Sequence, residues 1–154
     1  MNLRPWLSTG APAATIWIRI ATAIVFINEG VLKVIDPATY AVGRFAKIGI
    51  PLPEVMGPFV TGVELVGGIL LLLGLATRFA AITLAIDMVV ALIATKLPIL
   101  LGHGLLGFAA PTAKPGLLSM VHEARTDIAM LCSVIFLALV GAGDRSLDAR
   151  SRRG

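Results

Sequence analysis

A single cysteine, Cys132, stands in the 154-residue chain. It excludes an intramolecular disulfide and a Cys-x-x-Cys redox pair, so any thiol chemistry needs a partner. Charge is scarce too: charged residues make up 14% of the chain, against about 25% in soluble domains. Aromatic residues are 6%, with one Tyr, and the 13 basic residues form no aromatic-interleaved patch, which excludes nucleic acid as a partner. No Glu-x-x-His pair of the kind that builds di-iron bundles occurs. The opening MNLRPWLSTGAPAAT has no short apolar region followed by a small-residue cleavage site. The first hydrophobic run is therefore expected to be an uncleaved anchor.

What the chain does have is apolar surface: 57% hydrophobic residues and a mean hydropathy of +0.92. That excludes intrinsic disorder and points to an integral membrane protein of one small bundle. A bilayer core of about 30 Å needs about 20 mostly apolar residues in helix, and four stretches meet that length. They run over about 16–35, 54–76, 78–101 and 124–140. Asp36-Pro37 stops the first, Pro51-Leu52-Pro53 opens the second, and Gly141-Ala142-Gly143 ends the fourth. Without water for free backbone groups, these runs must be helices. The expectation is one all-α domain over 1–154, an antiparallel bundle of four transmembrane helices with a basic tail at 144–154.

Thr77-Arg78 leaves room only for a tight hairpin between the second and third helices. TYAVGRFAKIGI, with Tyr40, Arg44, Phe45 and Lys47, suits a short interfacial helix. The connection at roughly 102–121, rich in Gly and Pro yet apolar, is expected to pack on the membrane face. Four spans put both termini on one side with Arg78. Four of that side's basic residues, Arg145, Arg150, Arg152 and Arg153, lie in the tail, which favours cytoplasmic termini. The same tail suits contact with anionic lipid.

Several of these segments resemble the DoxX family (DoxX/DoxD-like) of four-helix bacterial membrane proteins. The matching pieces are Arg19 with FINEGVLKVIDP, then FAKIGIPLPE, GVELVGGILLLLGLATRFAA, HEARTDIAM and VGAGDRSLDA. The resemblance covers nearly the whole chain, and the order of the pieces is more specific than any one of them. It implies a multi-pass bundle of the bacterial inner membrane and a role as a membrane oxidoreductase component, some relatives being subunits of a thiosulfate:quinone oxidoreductase.

Charged side chains within a span cost several kcal/mol unless paired or hydrated, which makes Glu29, Lys33, Glu64, Asp87, Lys96 and Asp127 functional candidates. From the rise of 1.5 Å per residue, Glu29, Glu64 and Asp127 each fall about 20 Å from the terminal side, and Asp87 about 14 Å. The first three are the candidate catalytic carboxylates, with Glu64 foremost because Gly67 and Gly68 beside it allow close approach. Lys33, four residues after Glu29, is placed to pair with it. Lys33, Arg125, His122, Gly67 and Gly68 are the candidate substrate-binding residues. Together they suggest a polar pocket, open to the outer face, where carboxylates exchange protons with a bound quinone, thiol compound or small solute. The plainer alternative is a set of interhelical ion pairs that fixes the bundle, with the glycines serving only close helix packing. Arg19 and Arg78 are expected to snorkel to the headgroups, with Asp87 either a partner for one of them or in a separate buried role.

Gly102-His103-Gly104-Leu105-Leu106-Gly107 has the dinucleotide spacing but follows a membrane helix rather than a strand. His103 and His122 sit on predicted loops and read as interfacial residues rather than metal ligands. Cys132 reads as buried packing, and Trp6, Trp17, Tyr40 and Phe45 as interface anchors. The resulting expectation is a subunit of a redox assembly that binds a quinone or sulfur/thiol compound and relays protons. No redox cofactor motif is visible, so quinone is the cofactor suggested, none is covalently bound, and electrons come from a partner oxidoreductase. The alternatives are a small-solute transporter, helped by homo-oligomerisation, and a membrane scaffold for the partner.

Overall fold

A computed structural model describes residues 11–151; Arg4, Trp6, Arg152 and Arg153 lie outside the described residues. The described residues form helices and no strand: α1 (Thr15–Ile35), α2 (Pro37–Tyr40), α3 (Val42–Ile48), α4 (Pro53–Leu73) and α5 (Thr77–Ala91). A π-helical turn, Leu92–Lys96, carries α5 into α6 (Leu97–Leu101), followed by α7 (Leu117–Val140) and α8 (Leu147–Arg150). Helix α1 packs along α4, α4 on α5, and α5 on α7.

Local chemistry sets the boundaries. Asp36 leaves helical geometry ahead of Pro37, and its Oδ1 accepts from the Thr39 N–H at 3.1 Å, so one residue ends α1 and caps α2. Gly74 adopts φ 66, and the Leu75 N–H returns to the Leu70 carbonyl at 3.0 Å, closing α4 at Leu73 rather than at 76. Helix α7 begins at Leu117, about two turns before the apolar run that starts at 124. His122, Glu123 and Arg125 are tolerated within it, and the true break is Pro115-Gly116.

The distribution of polarity is inverted relative to a soluble protein. Arg19 is 3%, Lys33 8% and Glu64 4% exposed, whereas Phe79 is 64% and Ile86 62% exposed. Burying charge while presenting large apolar side chains outward suits a lipid solvent. Among the described residues, two helical stretches, Pro53–Leu73 and Thr77–Leu101, are long and apolar enough to cross a membrane. Between the helices lies an apolar core that includes Phe26, Leu71, Leu84, Val134 and Leu137.

Arg19 does not snorkel. Its guanidinium donates to the carbonyls of Ala142 at 2.5 Å and Arg145 at 2.8 Å. The break after Val140 frees these acceptors: positive φ at Gly141 and Gly143 ends α7 and folds the following chain back over α1. That returning segment also caps α5. Asp148 accepts from the N–H groups of Ala76 at 2.8 Å and Thr77 at 3.0 Å, supplying negative charge at an otherwise unsatisfied helix start. Cys132, expected to be buried, is exposed on α7.

Candidate functional site

The site begins at the α1–α4 contact. A Cβ on Gly30 would meet the Leu65 side chain at 2.5 Å, and one on Gly68 would meet Ile27 at 2.8 Å, so only glycine permits this approach. The closeness brings Lys33 of α1 onto Glu64 of α4. Lys33 Nζ donates to Glu64 Oε2 at 2.6 Å and Oε1 at 2.9 Å, and to Glu29 Oε2 at 3.5 Å. The helical i,i+4 partner is thus the weaker one, and the neighbouring helix supplies the main counter-charge.

A second pair faces this one. Lys96 Nζ lies 3.3 Å from Asp127 Oδ2 of α7. Lys96 closes the π turn, and Pro98 just beyond it has no N–H to return to the Ala94 carbonyl, so the regular hydrogen-bond ladder is interrupted here. Between the pairs stands Asp87 of α5, whose Oδ2 is buried with no hydrogen-bond partner among the described residues.

These groups line one cavity of ≈ 390 Å³, walled by apolar side chains such as Phe26, Met88, Ala91 and Met130. Tyr40, Arg44 and Phe45 of the α2–α3 connection line it as well. Tyr40 and Phe45, read from sequence as interface anchors, therefore belong to the cavity. The structure brings Glu29, Lys33, Glu64 and Asp127 together there.

The other four candidates do not line the cavity. Gly67 packs on Leu84 and Gly68 on Ile27, so both serve helix contact. His122 and Arg125 are exposed, and the Arg125 guanidinium bonds the His122 carbonyl. The reason is angular: at 3.6 residues per turn, Arg125 points about 200° away from Asp127. Glu123, Thr126, Asp127 and Met130 share the cavity-facing stripe. His103 Nδ1 lies 2.8 Å from the neighbouring Gly104 carbonyl. Among the described residues, no group of three or more His, Cys, Asp or Glu is arranged to hold a metal ion.

Sequence reasoning counted Lys96 and Asp87 among the buried charges but did not place Lys96 on Asp127 and left Asp87 outside the carboxylate layer. The signal for Asp87 was present. With α4 ending at Leu73 and α5 starting at Thr77, Glu64 and Asp87 stand almost equally far from the hairpin turn. Carrying α4 on to 76 had separated their depths.

A family model for DoxX matches residues 14–97, which carry Glu29, Lys33, Glu64, Asp87 and Lys96. The chain belongs to the DoxX family. It is 43% identical over 144 residues to the uncharacterized membrane protein Rv3486 of Mycobacterium tuberculosis, covering 94% of this chain and 85% of that protein. It is 30% identical over 134 residues to a Bacillus subtilis protein named "Putative oxidoreductase CatD", covering 87% and 84% of the two chains. An uncharacterized Haemophilus influenzae protein is 34% identical over 134 residues, covering 86% of each. No solved structure matches the chain. As a DoxX protein with a membrane-protein relative, it is a membrane protein.

Proposed function

We propose that this DoxX protein is a small inner-membrane subunit of a redox assembly that binds a quinone or a sulfur/thiol compound in its carboxylate cavity and relays protons there. The observation that carries the reading is one cavity of ≈ 390 Å³ that combines apolar walls with two lysine–carboxylate pairs and an Asp87 Oδ2 that has no hydrogen-bond partner among the described residues. Pairs that only fixed helix geometry would close on themselves; these surround space large enough for a ring-sized ligand. In this reading α1 and α7 span the bilayer with the two apolar stretches, completing an antiparallel four-helix bundle with cytoplasmic termini. Lys33 and Lys96 offer donors to ligand oxygen or sulfur. Glu29 and Asp127 connect the interior to the half-exposed rim, and Glu64 holds Lys33 in place.

Electrons enter from a partner oxidoreductase. The oxidoreductase name of the Bacillus subtilis relative adds modest support. The test is organic extraction and mass spectrometry of the chain purified from membranes. Copurified quinone or a low-molecular-weight thiol, lost by about tenfold in Glu64→Gln, is the expected result, because glutamine no longer fixes the Lys33 ammonium as a charged donor to the ligand. Unchanged ligand content in the variant, or solute uptake by liposomes holding the isolated chain, would replace this reading with a different one.

A further inference from the structure

The cavity's charges are not balanced around its interior. Glu64 and Asp127 hold lysines at 2.6 and 3.3 Å, and Glu29 and Glu123 reach its exposed rim. What is left inside is an acceptor without a donor, Oδ2 of Asp87. A buried carboxylate oxygen with no donor is costly, and a ligand that supplies an O–H or S–H relieves the cost. A ligand that offers a carbonyl oxygen at the same place sets acceptor against acceptor and leaves both unsatisfied.

The geometry points to Asp87 as a specificity-determining residue that accepts a hydrogen bond from the reduced, protic form of the ligand, a quinol. This rests on the redox-ligand reading of the cavity and adds which oxidation state the site selects. Met88, Met130 and Phe26 supply the apolar surface against which the ring or chain of such a ligand lies. The preference for the hydroxyl-bearing form arises from one side chain on α5 rather than from either lysine pair.

The test uses a benzoquinone with a decyl tail in both its quinone and quinol forms. Each is bound anaerobically to the full chain in detergent micelles, and to Asp87→Asn, which is nearly isosteric and is checked for its folded elution position. Wild type is expected to bind quinol about tenfold more tightly than quinone, and the variant to bring the two within about twofold. Equal binding of both forms by wild type overturns the assignment to Asp87 while leaving the ligand site standing. So does tighter quinone binding, which an Asp87 already protonated would give. A quinol preference that survives in Asp87→Asn overturns it as well. Binding of neither form removes the quinone reading of the cavity, on which this inference rests.

Discussion

Replacing Lys33 by methionine is expected to destabilise the protein by about 3–5 kcal/mol, because it leaves Glu64 buried without its counter-charge. Glu64 is 4% exposed and takes both of its short contacts from Lys33 Nζ, while Glu29 lies 3.5 Å from that same ammonium. Adding Glu64→Gln should recover most of the loss, since removing both members of a buried pair costs far less than orphaning one. Denaturant titration of helicity in mixed micelles gives the double-mutant cycle. Equal destabilisation by the single and double variants would mean that packing, not charge, holds this contact. The same experiment on the less buried Lys96–Asp127 pair should give about 1 kcal/mol or less.

The second large effect is expected far from the cavity. Arg19→Leu removes the donors for the Ala142 and Arg145 carbonyls, leaving two acceptors at a covered helix end, and should cost about 2–4 kcal/mol. The returning segment also caps α5 through Asp148, so its release leaves the Ala76 and Thr77 N–H groups unsatisfied. Arg19→Lys should recover only part of this, because one ammonium cannot reproduce a fork aimed at two carbonyls. Limited proteolysis is the readout: cleavage within residues 142–150 should accelerate in Arg19→Leu and far less in Arg19→Lys. No change in either would show that the segment is held by its apolar contacts alone.

Much of this was legible in the sequence, and the misses share a cause. The apolar runs and the punctuation at Asp36-Pro37 and Gly141-Ala142-Gly143 located the long helices. Simple depth counting found three carboxylates that the structure brings to one cavity. Depth says nothing about azimuth, however, which is why Arg125 and His122 were included although they point elsewhere on α7. Nor does hydropathy reveal a helix that continues through charge, so α7 begins earlier than its apolar run. Arg19 was misread because its partners are backbone carbonyls some 120 residues away, invisible to any local pattern. Lys96 could be counted among the buried charges but not placed on Asp127, because its position depends on the π turn at Leu92–Lys96.

The central claim is that the buried charges surround a ligand rather than merely tie helices together. Photolabelling addresses it most directly: a quinone carrying a photoactivatable group on its ring is irradiated with the protein in native membranes, and the modified peptides are mapped. The account predicts label on α1, α5 and α7 around Glu29, Asp87 and Asp127, competed away by unmodified quinone. Label confined to the outward apolar groove of α5 and α7, at Ile86 and Leu139, and indifferent to competitor, would contradict it.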